Sequence, residues 1–542
     1  MRQIARLGRL WHTVRYLRPA QIYGRVWHRL AKPKPDLAAP PARRAIAGTW
    51  KAPAQCTPSL TGPQTFLLLN EEGTLAAHSW TGPSKSALWR YNQHYFDDLS
   101  ATAAHERSQW HRDLIAQWIE GNPPGKGTGW DPYPTSLRIV NWIKWALAGH
   151  ALSEAARHSL AIQTRCLMRR LEWHLLGNHL FANAKALVFA GLFFEGPEAA
   201  HWLKKGLGIL KQQVPEQILS DGAQFELSPM YHALAVEDML DLVNITRAFS
   251  QDAMADDFSR RVPAMLDWLA AMSHPDGDIA LFNDAASGVA PSNQQLFDYA
   301  ARLGFRLPET PQGCRHLQAS GYIRNEAGPG VLIADVAAIG PDYLPGHAHA
   351  DTLSFEVSIH GQRALVNSGT SLYGTGAERL RQRGTPAHNT VAIEGKNSSD
   401  VWAGFRVGRR ARVLGLNIAS GDGQTRITAS HDGYRYLKGH PVHRRKWLMR
   451  PDGLEIIDQI SSRDLEAHAR FHVHPECTIN RDGDGSGRLT LPDGKIVHWR
   501  ANGHSLAVED TTYHPEFGRA VPNKCLVVKL ADGACRFTLN WA

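Results

Sequence analysis

The sequence predicts a two-part fold, an all-α assembly of helical hairpins followed by a large antiparallel β-sandwich. Two observations carry the prediction. From about Trp89 to Leu303 apolar residues recur at helical spacing, with Gly/Pro breaks between runs and no alternating strands among them. From about residue 316 the pattern changes to short β-rich runs punctuated by Asp-Gly and His-Gly turns.

Taken in order, residues 1–30 (MRQIARLGRLWHTVRYLRPAQIYGRVWHRL) are rich in Arg and aromatics. They read as a basic amphipathic segment that lies on anionic lipid or packs as a helix on the main body. Their apolar runs are too short for a secretory signal. Residues 31–63 are rich in Pro and Ala and read as an extended connector. In ERSQWHRDLIAQWIEGN, Trp110, Leu114 and Trp118 recur every fourth position before a Gly-Asn-Pro-Pro break. VNWIKWALAGHAL, HLFANAKALVFAGLFF, VEDMLDLVNITRAF and RRVPAMLDWLAAM have the same helical texture. Strands are predicted in GYIRNE, GVLIADVA, LSFEVSIHGQRALV, NTVAIEG, WLMRPDGLEIIDQI, RLTLPDGKIVHW and CLVVKLADGACRFTLNW. The resulting organisation is a basic segment and connector over 1–63, a helical domain over 64–315 and a β domain over 316–542.

The 542 residues allow more than one domain, and 43% hydrophobic residues suit a large buried core. Lys and Arg exceed Asp and Glu by 60 to 51, which favours an anionic partner: an acidic polysaccharide, a membrane surface or a nucleic acid. Charge alone supports the nucleic acid, since no recognition motif accompanies it. The 17 Trp fill helical cores or hold sugar rings. Cys56, Cys166, Cys314, Cys477, Cys525 and Cys535 are scattered and read as reduced thiols. No G-x-G-x-x-G or Walker lysine loop follows a strand, so no nucleotide cofactor is expected, and there is no G-x-S-x-G nucleophile elbow. Nothing is long and apolar enough to span a membrane. These features together place the chain in the cytoplasm or peripherally on a membrane.

Polar residues concentrate in four places. YNQHYFDDL and GWDPYPTSLRIVNW bring Tyr91, Asn92, His94, Arg138 and Asn141; GNHLFANAKAL puts Asn178 and His179 at a helix entrance, where Asn also serves as a cap. In DGAQFELSPMYHALAVEDML, Glu226 and Tyr231 flank a Ser-Pro helix start. In GHAHADTLSF, His347, His349 and Asp351 alternate, so on an extended backbone they share one face, either at a solvated edge or as hydrogen-bonded core histidines. NSGTSLYGTGAERLRQRGTPAHNTV then adds Asn367, Arg379, Arg381, Arg383 and His388.

In this order the motifs, above all GNHLFANAKAL, the Tyr231 segment, GHAHADTLSFE and NSGT…AHNTV, resemble the heparinase II/III family of polysaccharide lyases. The resemblance spans most of the chain and implies an incomplete α/α toroid followed by an antiparallel β-sandwich. It also implies β-elimination at a hexuronate. Removing a proton beside a carboxylate places a second negative charge there, so Asn178 would neutralise the carboxylate with a fixed dipole, and Tyr231 and His347 would transfer protons. His94, Arg138, His179 and Glu226 would contact substrate, and Arg381 or Arg383 would supply positive field. Similar lyases often hold zinc or calcium at positions that correspond here to His349, Asn367 and His388. The departure is Asn367, where Asp is expected; Asn is a poor zinc ligand, so the set would hold metal weakly unless Asp351 turned inward. Without metal, His349 and His388 would align the loop around His347. The alternative function is a non-eliminating glycan-modifying or glycan-binding component of exopolysaccharide assembly.

Overall fold

The computed structural model describes residues 2–502 and 505–541. The predicted helical runs form helices at Ser108–Gly121, Pro132–Leu147, Gly177–Phe193, Pro229–Ala248 and Val262–Ala271. Gly177–Phe193 is apolar all round, and it is accordingly the hub, packed against Pro132–Leu147, Glu154–Arg169, Pro197–Gln217 and Pro229–Ala248. The helices form an incomplete α/α toroid.

Ahead of the toroid lie two helices, Arg2–Val14 and Pro19–Leu30, and then an irregular strap that leads to a small sheet beginning at Leu60. The strap caps helix C-termini. Arg44 donates from Nε to the Leu192 carbonyl and from Nη2 to that of Phe194, and the Ala47 and Gly48 amides donate to Ala248.

The β half is two facing antiparallel sheets. One runs, in spatial order, Val413–Gly421, Gln424–His431, His443–Arg450, Gly453–Ile460, Ala534–Asn540, Ile496–Ala501, Ser486–Thr490 and Thr478–Gly483. The other runs Leu506–Tyr513, Val521–Lys529, Ala467–Val473, Gln362–Leu365, Phe355–Ile359, Gly330–Asp335, Tyr322–Ala327 and Cys314–Leu317, with Val391–Ile393 also paired to Ala467–Val473. Two of the predicted turns form with both residues left-handed, His360 and Gly361 at φ 53° and 82°, Asp532 and Gly533 at φ 50° and 75°. Phe355, Trp447, Phe471 and Phe537 anchor the sandwich core.

Strand Gly330–Asp335 is buried on both faces, which explains its unbroken apolar run. Leu332 and Ala334 face the sandwich core, while Val331 and Ile333 join Trp268 and Met272 of the toroid. Buried polar bonds reinforce this seam: Trp268 Nε1 donates to Ser320, Arg324 to the Ser273 carbonyl, and His274 bonds Glu356 and Ser358.

GHAHADTLSF departs from the extended expectation. Residues 346–354 form a loop of turns, with Leu353 at φ 62°, and the strand begins only at Phe355. His94 and Arg138 are core residues, not substrate contacts. His94 stacks on Trp80 and accepts from Trp118 Nε1 at 3.0 Å; Arg138 lies over Trp118 and donates to Gln163 and to the carbonyls of His94 and Gly129.

Several imidazoles are thus buried neutral. Burial, with Arg138 nearby, lowers His94 from 6.5 to about 3, and burial lowers His349 to about 4 and His472 to about 3. In the unfolded chain the same groups take up protons near 6.5, so below that pH the unfolded state binds more protons than the folded one. Thermal unfolding followed by circular dichroism is therefore expected to show a melting temperature that falls as pH is lowered from 6.5 toward 4.

Candidate active site

The site assembles where the toroid meets the sandwich. Ser228 starts helix Pro229–Ala248: its side chain accepts from the Tyr231 amide, and its hydroxyl donates to the Asp284 carbonyl at 2.6 Å. Tyr231 thereby stands in the first turn of that helix. Glu226, expected as a substrate contact, lies just upstream. It is buried and accepts from the Asn178 amide at 3.4 Å, placing a carboxylate at the N-terminus of helix Gly177–Phe193. The capping role open to Asn178 is therefore filled by Glu226, and among the described residues the Asn178 side-chain amide has no hydrogen-bond partner. It faces a cavity of about 560 Å³ that Tyr231, Tyr373, Tyr133, Lys144, Lys185 and Asp238 also line.

Asp284, to which the sequence reading assigned no role, is the hub of the polar contacts. It lies on the toroid side of the seam. Arg379 binds both its carboxylate oxygens, His347 donates from Nδ1 to Oδ2 at 2.9 Å, and His349 donates from Nε2 to Oδ1 at 2.8 Å. The backbones clasp as well, the Asp284 amide donating to the His347 carbonyl and the His349 amide to the Asn283 side chain. Burial alone would raise the Asp284 pKa, but Arg379 and the two histidines hold it well below the usual carboxylate range. The carboxylate fixes the His347 tautomer with Nδ1 protonated, leaving Nε2 to exchange a proton. Nε2 lies 3.5 Å from Glu226.

Across from it, the Tyr231 ring sits 4.0 Å from the His347 ring, and its hydroxyl is 2.9 Å from that of Tyr373, which comes from the β half. Burial, with Tyr373 next in effect, pushes the Tyr231 phenol well above its ordinary pKa. His179 stacks on Tyr133 at 4.4 Å and pairs with Glu172 at 3.2 Å. Burial would lower its pKa, but Glu172 outweighs that and raises it.

The two arginines expected to supply positive field are engaged elsewhere. Arg381 is tied to Glu378, Thr512 and His514, and Arg383 is buried against the carbonyls of Ala348 and Gly404. Arg379 is the one that meets the site, through Asp284, with its guanidinium 5.0 Å from the Tyr373 ring.

Two adjoining stretches match the families described as heparinase II/III N-terminus, over residues 101–303, and heparinase II/III-like C-terminal, over residues 309–542. The chain belongs to the heparinase II/III family. It is 31% identical over 245 residues to a heparin-sulfate lyase of Bacteroides stercoris, an alignment covering 41% of this chain and 36% of that protein. It is 27% identical over 384 residues to the FtsZ-localized protein C of Caulobacter vibrioides, covering 65% of this chain and 61% of the relative. A heparinase III crystal structure superposes with a TM-score of 0.67 at 18% identity, covering 85% of this chain and 78% of that one, and so shares the toroid-plus-sandwich fold. The chain spans only about a third of the length of the heparin-sulfate lyase to which it is 31% identical.

The family resemblance raises the question of a metal at His349, Asn367 and His388, and the donor set here does not fit one. His349 Nδ1 and His388 Nε2 lie 3.3 Å apart, but Asn367 Oδ1 is on the opposite nitrogen of His388, also at 3.3 Å. Asp351 does not turn toward them: it is buried beside the Asn283 amide, and burial raises its carboxyl to about 6. Among the described residues no three His, Cys, Asp or Glu side chains group as ligands. A hydrogen-bonded chain fits instead. His349 Nε2–H is on Asp284, its Nδ1 faces His388 Nε2 at 3.3 Å, and Asn367 Oδ1 lies 3.3 Å from His388 Nδ1 while accepting from the Asn389 amide at 3.4 Å.

Asp284→Asn would leave the Arg379 charge buried without its partner. Denaturant unfolding is expected to show a loss of about 3–5 kcal/mol.

Proposed function

We propose that this protein is a polysaccharide lyase that cleaves a uronate-containing polysaccharide by β-elimination. The observation that carries the reading is an unpartnered amide, Asn178, and a phenol, Tyr231, lining one cavity, with an imidazole held by a buried carboxylate, His347 on Asp284, 4.0 Å from the Tyr231 ring. In this reading Asn178 donates to the uronate carboxylate, and its fixed dipole stabilises the charge that builds on the carboxylate oxygens as the aci-carboxylate forms. His347 Nε2 removes the C5 proton, and Asp284 stabilises the imidazolium that results. The C5–H electron pair becomes the C4–C5 double bond while the C4–O bond breaks, and Tyr231 gives its proton to the leaving oxygen. The raised pKa of the buried phenol suits it to be stored as an acid.

The far end of the cavity bears on the sugar that fits there. Lys144 and Lys185 both pair with Asp241 and, respectively, with Glu237 and Asp238, so two cations stand among three acids. That end has no spare positive charge for a sulfate group.

The test offers purified protein a panel of sulfated and unsulfated uronate polysaccharides and follows the ultraviolet absorbance of the unsaturated product. Unsulfated chains are expected to be cleaved faster, with no loss of rate in EDTA. Tyr231→Phe is expected to lower kcat by roughly 10²–10⁴, the usual contribution of a positioned proton donor. A uronate carrying fluoride at C4, a leaving group that needs no proton, is expected to be eliminated by Tyr231→Phe but not by His347→Gln. The reverse pattern would exchange the two roles, and no product across the panel would refute elimination.

A further inference from the structure

The two N-terminal helices are seated on the body by one face and bare on the other. On Arg2–Val14, Thr13 carries the contact: its hydroxyl donates to the Val407 carbonyl and accepts from Trp402 Nε1. The turn that follows lays the Tyr16 ring beneath Arg410. On Pro19–Leu30, Gln21 is buried and donates to the Tyr343 carbonyl, and the His28 ring lies 4.3 Å from that of His174. Gly24 allows this second helix to approach so closely that a Cβ there would lie 2.9 Å from the His174 backbone nitrogen.

The opposite faces carry the apolar residues. Leu7, Leu10, Trp11 and Val14 follow helical spacing on the first helix, and Ile22, Tyr23, Val26, Trp27 and Leu30 on the second; Trp11 is 66% exposed, Tyr23 75%, Trp27 68% and Leu30 76%. The other exposed large apolar side chains are scattered singly along the sequence, whereas half of all such side chains among the described residues crowd onto these two short helices, which is an unsatisfied feature. Charge identifies what covers it. Residues 1–30 contain Arg2, Arg6, Arg9, Arg15, Arg18, Arg25 and Arg29 and no Asp or Glu, and Arg15, Arg25 and Arg29 are exposed.

We infer that this double helix face docks the protein on an anionic membrane surface, with Trp11, Tyr23 and Trp27 at the headgroup level and the arginines on lipid phosphates. A protein groove would cover apolar residues equally well, but it offers no reason for the arginines without a single acid. An anionic lipid surface answers both features. Neither helix is long and apolar enough to cross the bilayer, so the segment lies on it. The dock is fastened close to the candidate active site: Tyr343, held by Gln21, is four residues before His347.

The test is sedimentation of the full chain with vesicles of phosphatidylcholine alone and of phosphatidylcholine mixed with phosphatidylglycerol. Binding is expected to the mixed vesicles only and to weaken with salt. Arg25→Glu is expected to lower the partition coefficient at least roughly fivefold, the value of one basic residue near such a surface. Trp11→Ser with Trp27→Ser is expected to abolish binding while leaving the circular dichroism and melting temperature unchanged, since both side chains are exposed. Absence of wild-type binding to the anionic vesicles would overturn the proposal. So would self-association in solution that the tryptophan variant removes, because the face would then be covered by a second copy.

Discussion

A carboxylate taken out of water at the seam between the two halves loses several kcal/mol of solvation, and Asp284 recovers it only because every neighbour is a donor. Arg379 reaches both oxygens from the sandwich side, and His347 and His349 take one oxygen each. All three donors lie beyond residue 346, whereas Asp284 and Tyr231 belong to the toroid side. Electrostatics therefore fixes the relative placement of the halves as firmly as apolar packing at Trp268 and Ile333 does. The His347 orientation on which the proposed proton transfer rests is a by-product of satisfying one buried charge. With Nδ1 committed to Asp284, only Nε2 of His347 is chemically available.

The same accounting explains why several arginines and histidines are absent from the cavity wall. Arg138, Arg383 and Arg445 are buried and spend their donors largely on backbone carbonyls of loops. Arg445 also holds Asp458, whose carboxyl falls to about 2 as Arg445 and His443 outweigh its burial. A planar fork of five donors suits that work, since one side chain ties down several turns that have no ladder of their own. In such surroundings a guanidinium is scaffolding, and a chain rich in arginine need not present it to ligand.

Much of this was legible in the residues. The change of hydrophobic period located both halves, the Ser-Pro start positioned Tyr231, and His-Gly and Asp-Gly turns formed where written. The alternation in GHAHAD was informative in an unexpected way: His347 and His349 do point to one partner, though from a loop, because turns near Asp351 and Leu353 interrupt the strand. Asp284 was invisible because a single acid after an apolar run has no local signature; its value comes from residues 63 to 95 positions away. Arg379 stood among its neighbours Arg381 and Arg383 with nothing in spacing to favour it. His94 and Arg138 misled because polar residues in an aromatic-rich helical stretch look like a cleft, whereas here Trp118 and Trp80 enclose them.

The strap across the toroid also sets an order of assembly. Arg44 can close only on the carbonyls at Leu192 and Phe194, and Ala47 only on Ala248, so the strap waits for helices made some 150 to 200 residues later. The wait is longest for the first two helices, whose seats include Tyr343, Trp402 and Val407. Until those segments emerge, an arginine-rich, apolar-faced leader is free in solution, a hazard for aggregation that low contact order would have avoided.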